Sequence, residues 1–356
     1  MISPSAPASR RESRLLAAAS GDADVAGERS LETLALGVGA ASFVLSAVIA
    51  LFVFGFQDAP ISGPGSVGQY AAIASAVVAI LAFVAGRLLI GAGGRFHWLD
   101  IVDIAALAFA HAIIALLTWT LLAVILEQGF IGAEVFALPV LILSGAVAAV
   151  TGYVVFYSAT HMDLQLLAVV LAVFLTEGVI ASMLTASDPN WWKDNLSALG
   201  MTNDLSAMTF NLTLIVAGII VTTLARYTVR GIPTPNPHGL ARVRTCLILV
   251  GIFLGLVGVF PVDQFFAIHT GVASGMAVVY GILVFRLHAW IPDLPRAFLV
   301  LGWVFTAVIV VLAVFFAVGY YTLTAVELVA GILIFAWIIL FIRNAAALQQ
   351  DTGGAV

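Results

Sequence analysis

The sequence predicts an all-α, polytopic membrane protein: a bundle of about ten transmembrane helices with the N- and C-termini in the cytoplasm. Hydrophobic residues make up 62% of the 356 residues and charged residues only 9%, and the mean hydropathy is +1.14. A soluble domain carries about a quarter charged residues. A water-soluble fold could not hide this much apolar surface, so most of the chain must be solvated by lipid.

Ten apolar runs follow a polar N-terminal segment, each near the roughly 20 residues that a helix needs to cross a bilayer. Residues 1–32 are rich in Arg, Ser and acidic residues and predict a disordered tail. The seventh run is short, and only a tight break at 260–264 separates it from the eighth. The two runs could therefore form a single bent helix. The predicted spans are 33–56, 69–92, 102–126, 134–157, 164–186, 205–226, 244–260, 264–287, 296–318 and 322–342.

The basic residues orient these spans. With the N-terminus inside, all 14 Lys and Arg residues except Lys193 lie on or beside the inner side, as the positive-inside rule requires for an even number of spans. The inner loop 231–239 is predicted to be non-helical, because Pro repeats at every second position from 233 to 237. The excess of Arg over Lys, with much Ala, Val and Gly, suggests a GC-rich bacterial genome and hence a bacterial plasma membrane.

The predicted organisation has four parts. Residues 1–32 form the cytoplasmic tail, and 33–157 form a four-helix N-terminal membrane extension. Residues 164–342 form a six-helix core, which holds nearly all the polar residues at outer helix ends. Residues 343–356 form a cytoplasmic C-terminal tail.

Ionisable side chains within a span are costly and are functional candidates by default. Glu177 lies near the middle of the fifth span. A carboxyl at that depth is expected to be protonated or paired with a donor on another helix. Its role is either functional or that of an interhelical hydrogen bond.

Three more polar residues lie at similar depths on three different spans: Asn211, His269 and Glu327. Each is five or six residues in from the outer end, roughly 7–9 Å at helical rise. Facing lipid would be costly for all three, so we expect them to converge inside the protein beneath the outer loops.

The longest outer loop, 187–204, lies above them. Trp191 and Trp192 are explained as interfacial anchors, and capping explains several other residues. Capping does not readily explain the polar residues in the middle of the loop. The remaining binding candidates are Asp194, Asn195 and Ser197 in this loop, Asp263 before the eighth span, and Tyr320 at the end of the ninth.

Three motifs then follow one another along the chain. They are Asn195-Leu196-Ser197-Ala198-Leu199-Gly200, Phe210-Asn211, and Gly258-Val259-Phe260-Pro261 followed by His269. This series resembles the N-x-S-x-L-G and G-x-F-P…H signatures of a bacterial and archaeal membrane family known as domain of unknown function 998. The resemblance covers roughly 164–342, the six C-terminal spans.

That family is similar, more distantly, to the six-span FRAG/DRAM/Sfk group, whose members are linked to lipid-anchor remodelling, autophagy and phospholipid asymmetry. The resemblance implies a lipid-related role and identifies no catalytic residue. The first hypothesis is therefore a non-enzymatic protein that binds, moves or organises a lipid or lipid-linked headgroup at the outer face.

Three alternatives stay open. An ion- or proton-coupled transporter of a small molecule would use Glu177 as the carrier. An intramembrane hydrolase or transferase would use Asp, Glu and His, with Ser197, His269 and Asp263 drawn as a triad; the sequence favours this less than a non-enzymatic role, because it contains no HExxH and no G-x-S-x-G. A structural subunit of an envelope complex would use the polar residues as contacts between helices.

Composition also limits ligands and partners. The single cysteine, Cys246, and the lone His269 in the cluster argue against a metal site, and we predict no metal and no cofactor. No basic patch lies beyond the tail, so we predict no nucleic-acid partner. The expected partners are membrane lipid and a lipid or small-molecule ligand; the sequence makes no prediction of oligomeric state.

Overall fold

The structure is a computed structural model that describes residues 10–91, 97–201, 203–228, 232 and 236–353. Within these residues ten helices are long and apolar enough to cross a membrane, which confirms the predicted all-α polytopic bundle. The helices are α1 (Arg10–Phe54), α2 (Val67–Ile90), α3 (Trp98–Gly129), α4 (Ala137–Thr160), α5 (Leu164–Leu184), α6 (Leu205–Thr228), α7 (Pro237–Val259), α8 (Phe266–Trp290), α9 (Arg296–Ala317) and α10 (Leu323–Gly353).

Both chain ends are more helical than the sequence predicts. Residues 10–32, predicted as disordered tail, lie in α1, whose apolar span is Glu28–Phe54; this segment is rich in Ala, Leu, Arg and Glu, which are good helix formers. Residues 1–9 of the tail lie outside the described residues. At the other end α10 runs to Gly353, and residues 354–356 lie outside the described part.

The seventh span begins earlier than predicted and is a separate helix from the eighth. Its first residue is Pro237, and the Asn236 side chain accepts a hydrogen bond of 2.9 Å from Gly239 N. Proline at the first helical position loses no hydrogen bond, because that amide has no helical partner. The predicted loop 231–239 is therefore followed by helix from residue 237; its residues 231 and 233–235 lie outside the described part.

The described residues form two compact units. Residues up to 91 and from 123 to 161 make unit 1; residues 97–122 and from 162 onward make unit 2. The sequence placed the whole of the third span in the N-terminal extension, whereas the first three-quarters of α3 belongs to unit 2.

Unit 1 is built around α4, which packs against both α1 and α2. Its small residues let neighbouring helices approach: a Cβ on Gly152 would lie 2.6 Å from Ser42 Oγ and 3.2 Å from Val78 Cγ1. Two short strands, β1 (Ala59–Pro60) and β2 (Glu134–Val135), pair antiparallel across the loops of this unit.

Unit 2 contains a closed ring of six helices. Each helix from α5 to α10 packs against the next, and α10 packs against α5. The unit-2 part of α3 is attached to this ring by hydrogen bonds: Asp103 Oδ1 accepts one of 2.6 Å from Thr223 of α6.

The contact between α6 and α7 brings their backbones together. A Cβ on Gly218 of α6 would lie 2.5 Å from the Gly251 carbonyl oxygen and 2.7 Å from Gly255 N. Small residues at such spacings let membrane helices pack closely. Gly251 and Gly255 are therefore a backbone contact surface for α6.

An aromatic cluster joins α8, α9 and α10. Trp337 is 1% exposed, stacks on Phe298 and Phe341 at 5.2 and 5.8 Å, and meets Tyr280 edge-on at 5.4 Å. Its indole N–H has no hydrogen-bond partner in the described part of the chain. Trp337 is thus held by contacts with aromatic rings, and its indole nitrogen makes no hydrogen bond in the described part of the chain.

Candidate functional site

The loop between α5 and α6 folds into two short 3₁₀ helices, η1 (Trp191–Lys193) and η2 (Leu196–Gly200). Both 3₁₀ helices contact α10, and η2 also contacts α6. Side chains from α6, α8 and α10 form hydrogen bonds with η2. We use the name η2 site for five residues: Asn195, Ser197, Asn211, His269 and Glu327.

His269 joins η2 to the ends of α7 and α8. It is 6% exposed. Its Nε2 lies 3.0 Å from Ser197 Oγ, and its Nδ1 lies 2.7 Å from the carbonyl oxygen of Phe260. A carbonyl can only accept, so Nδ1 carries a proton, and in the tautomer protonated only there Nε2 accepts from the Ser197 hydroxyl.

Glu327 joins η2 to α10. Its Oε2 accepts a hydrogen bond of 2.6 Å from the backbone N–H of Leu196. The first amides of a helix have no helical partner, and a carboxylate on a neighbouring helix supplies one here. Glu327 is therefore tied to the start of η2.

Asn211 joins η2 to α6. Its Nδ2 donates to the carbonyl of Gly200 at 3.1 Å. A Cβ on Gly200 would lie 2.4 Å from Asn211 Oδ1, and a Cβ on Gly258 of α7 would lie 2.5 Å from the Asn211 carbonyl. The glycines of both motifs thus leave the space that Asn211 occupies.

Asn195 differs from the other members of the η2 site. Its Oδ1 is buried and has no hydrogen-bond partner among the described residues, while the side chain as a whole is half-buried. A buried polar atom without a partner is uncommon and costly. It is an unpaired acceptor at the residue that precedes η2.

Three predicted site residues do not join this arrangement. Asp194, Asp263 and Tyr320 are exposed, and Tyr320, at 70% exposure, packs on Phe315 and Tyr321. The triad drawn from Ser197, His269 and Asp263 does not form, because the Phe260 carbonyl takes the place at Nδ1 that a carboxylate would have.

Glu177 is hydrogen-bonded to α3 and not to η2. It is seven residues before Leu184, the last residue of α5, which is about 10 Å along the helix. Its Oε1 accepts a hydrogen bond of 2.8 Å from Thr118 of α3, and its Oε2 is buried without a partner in the described part. The sequence led us to expect either a protonated carboxyl or a donor on another helix, and Thr118 is such a donor.

Several partners at the site were not predicted from sequence. The amide of Leu196 and the carbonyl of Phe260 are backbone groups, which no residue type reveals. Ser206 of α6 lies 3.2 Å from the Leu199 carbonyl and 3.0 Å from Ser182 Oγ.

Exposed aromatic side chains lie in or next to the loops α5–α6, α7–α8 and α9–α10 of unit 2. They are Trp192, Phe265, Phe266, Tyr320 and Tyr321. Aromatic residues concentrate at the level of the lipid headgroups. Among the described residues no group of three His, Cys, Asp or Glu side chains is arranged to hold a metal ion.

Replacing Glu327 by Ala is expected to lower the free energy of unfolding by about 1–3 kcal/mol, since the Leu196 amide then loses its acceptor. Glu327→Gln retains an acceptor oxygen and is expected to lose less than about 1 kcal/mol. Thermal unfolding of the purified protein in detergent measures both. Equal losses in the two variants would mean that the hydrogen bond to Leu196 does not hold η2.

The C-terminal half of the chain matches a protein-family model. A family model described as "Protein of unknown function (DUF998)" matches residues 166–344, a range that contains α6–α9, most of α5 and α10, and the whole η2 site. No curated protein and no solved structure matches the chain.

Proposed function

We propose that this chain, which belongs to the DUF998 family, binds a membrane lipid or lipid-linked molecule by its polar headgroup at the η2 site. The predicted orientation puts this site at the outer face of the membrane. The observation that carries the proposal is the unpaired, buried acceptor Asn195 Oδ1 within a polar site, in a unit whose loops carry exposed aromatic side chains.

The depth of the site suits a headgroup. Interfacial aromatic residues mark the zone between hydrocarbon and water, and the interfacial regions together add about 10–15 Å to a hydrocarbon core of about 30 Å. A ligand that reaches η2 from the membrane would bring its polar part to this zone and keep its acyl chains in lipid.

The polar atoms define what the headgroup must offer. Asn195 Oδ1 can only accept, so the group that satisfies it carries an O–H or N–H donor. A headgroup with hydroxyl or amine donors, such as glycerol, a sugar or an ethanolamine, fulfils this condition. The Ser197 hydroxyl, half-buried beside Asn195, offers a second polar contact.

Native mass spectrometry of the gently solubilised protein tests the proposal. We expect a stoichiometric lipid on the wild type and at least about tenfold weaker retention in Asn195→Ala, which corresponds to about 1.4 kcal/mol. Because Asn195 Oδ1 has no partner within the described residues, this variant should unfold at the same temperature as the wild type.

Ser187→Ala is the matched control, since Ser187 lies in the same loop and bonds to Asp204 instead. It should retain the lipid fully. A wild type that carries no lipid, or an Asn195→Ala variant that keeps as much as the control, would overturn the proposal.

A further inference from the structure

We propose that the η2 site cleaves or transfers an acyl ester of its lipid ligand, with Ser197 as the nucleophile and His269 as the general base. This inference rests on the proposed lipid-binding function and names the reaction that would follow binding. The geometry that carries it is the Ser197–His269–Phe260 chain of hydrogen bonds.

The hydrogen bonds select the reactive tautomer. The Phe260 carbonyl, 2.7 Å from Nδ1, requires a proton on that nitrogen. The unprotonated Nε2 then lies 3.0 Å from Ser197 Oγ, within the reach that a base needs to take a hydroxyl proton. A His held by a third group and bonded to a serine is the arrangement of a nucleophile with its base.

Each member of the pair is fixed in place. His269 is buried and bonded at both ring nitrogens. Ser197 lies within η2, whose first amide is bonded to Glu327 and whose last residue is bonded to Asn211. Catalytic side chains need this kind of support to keep their reactive geometry.

The chemistry balances with an ester and an alcohol or water. Ser197 Oγ attacks the ester carbonyl carbon while its proton moves to His269 Nε2. The acyl carbon–oxygen bond breaks, the leaving alcohol takes the proton from Nε2, and the acyl group stays on Ser197 as an ester. Water or a second lipid hydroxyl then gives its proton to Nε2 as it attacks the acyl-serine. The bond between the acyl carbon and Ser197 Oγ breaks, Oγ takes the proton back from Nε2, and a free acid or a new ester is released.

The location also suits this reaction. The ester carbonyls of a lipid lie just below its headgroup, and a headgroup bound at Asn195 would bring them to the level of η2. The Phe260 carbonyl sets the tautomer of His269 but carries no full negative charge. It therefore stabilises the protonated ring less than a carboxylate would, and we expect slow turnover.

An alkyl fluorophosphonate tests the nucleophile directly in the full-length, solubilised protein. This probe phosphonylates an activated serine, and fluoride leaves. We expect one label per chain, mapped to Ser197 by peptide mass spectrometry, and a labelling rate reduced at least about a hundredfold in His269→Gln, consistent with the usual contribution of a general base. Gln can still donate to the Phe260 carbonyl, so thermal unfolding distinguishes lost chemistry from lost folding.

Ser187→Ala, in the same loop, should label at the wild-type rate. Absence of label on wild-type Ser197, or equal labelling of wild type and folded His269→Gln, would contradict the proposal that Ser197 is a nucleophile activated by His269. The lipid measurement is separate. If the wild type retains lipid but Ser197 is not labelled, the proposed lipid binding is supported and the proposed reaction is wrong. If Ser197 is labelled but no lipid is bound, Ser197 is a nucleophile and the proposed lipid ligand is wrong.

Discussion

Gly218→Val is expected to prevent stable assembly of unit 2, with a loss of about 3 kcal/mol or more in the free energy of unfolding. The new Cβ would lie 2.5 Å from the Gly251 carbonyl oxygen, 2.7 Å from Gly255 N and 2.9 Å from Gly255 Cα. All three atoms belong to the backbone of α7 and cannot turn aside as a flexible side chain can. The two helices must move apart, and they lose the close packing that holds membrane helices together.

The measurement is the unfolding temperature and the yield of monodisperse protein in detergent. Gly281→Val is the matched control: Gly281 lies inside α8, and a Cβ there would meet no atom within 4 Å. It carries the same propensity change without the clash. If the two variants lost stability equally, helix propensity and not the α6–α7 contact would be the cause.

Trp337→Ala is expected to cost about 3–5 kcal/mol, the range for removing a large aromatic side chain from a packed interior. The indole is 1% exposed and packs against Phe298, Phe341 and Tyr280. Trp337→Phe should stay within about 1.5 kcal/mol of the wild type. Phenylalanine leaves a smaller space and removes an indole N–H that has no partner in the described part of the chain.

Thermal unfolding of both variants beside Trp303→Ala tests this expectation. Trp303 lies on α9 and is half exposed, so its loss should change stability far less than that of Trp337. A Trp337→Phe variant as unstable as Trp337→Ala would show that the indole N–H has a partner or that the cluster cannot adjust.

The spans were predictable because the hydrocarbon core of a membrane restricts the backbone conformations that a chain can adopt. An apolar run of about 20 residues must be a helix, since every backbone polar group has to be satisfied within it. The errors lie where this constraint stops. The start of α7 at Pro237 depends on capping by Asn236, and the extension of α1 to Arg10 depends on helix propensity outside the span.

The convergence of Asn211, His269 and Glu327 followed from depth and from the cost of facing lipid. The structure brings all three to η2. Depth does not fix the rotation of a helix about its axis, so the partner of Glu177, Thr118 of α3, was not predictable. Backbone partners such as the Phe260 carbonyl depend on where the chain turns and were not predictable.

The division of α3 between the two units could not be predicted from the sequence either. Hydropathy marks where a helix crosses the membrane and carries no information about its neighbours. Asp103, the residue that attaches α3 to α6, appeared in the sequence as one charge at the edge of an apolar run.

The closed ring of unit 2 imposes an order on biosynthesis. The Leu196 amide and its acceptor Glu327 are 131 residues apart, and a ribosome that adds about 5–20 residues per second needs about 7–26 s to make the intervening chain. Within the nascent protein, α6 and then α8 reach η2 first, and α10 completes its support last. Every new copy therefore spends some seconds in the membrane with an unfinished site, and a ribosome that stalls between α8 and α10 would leave it in that state.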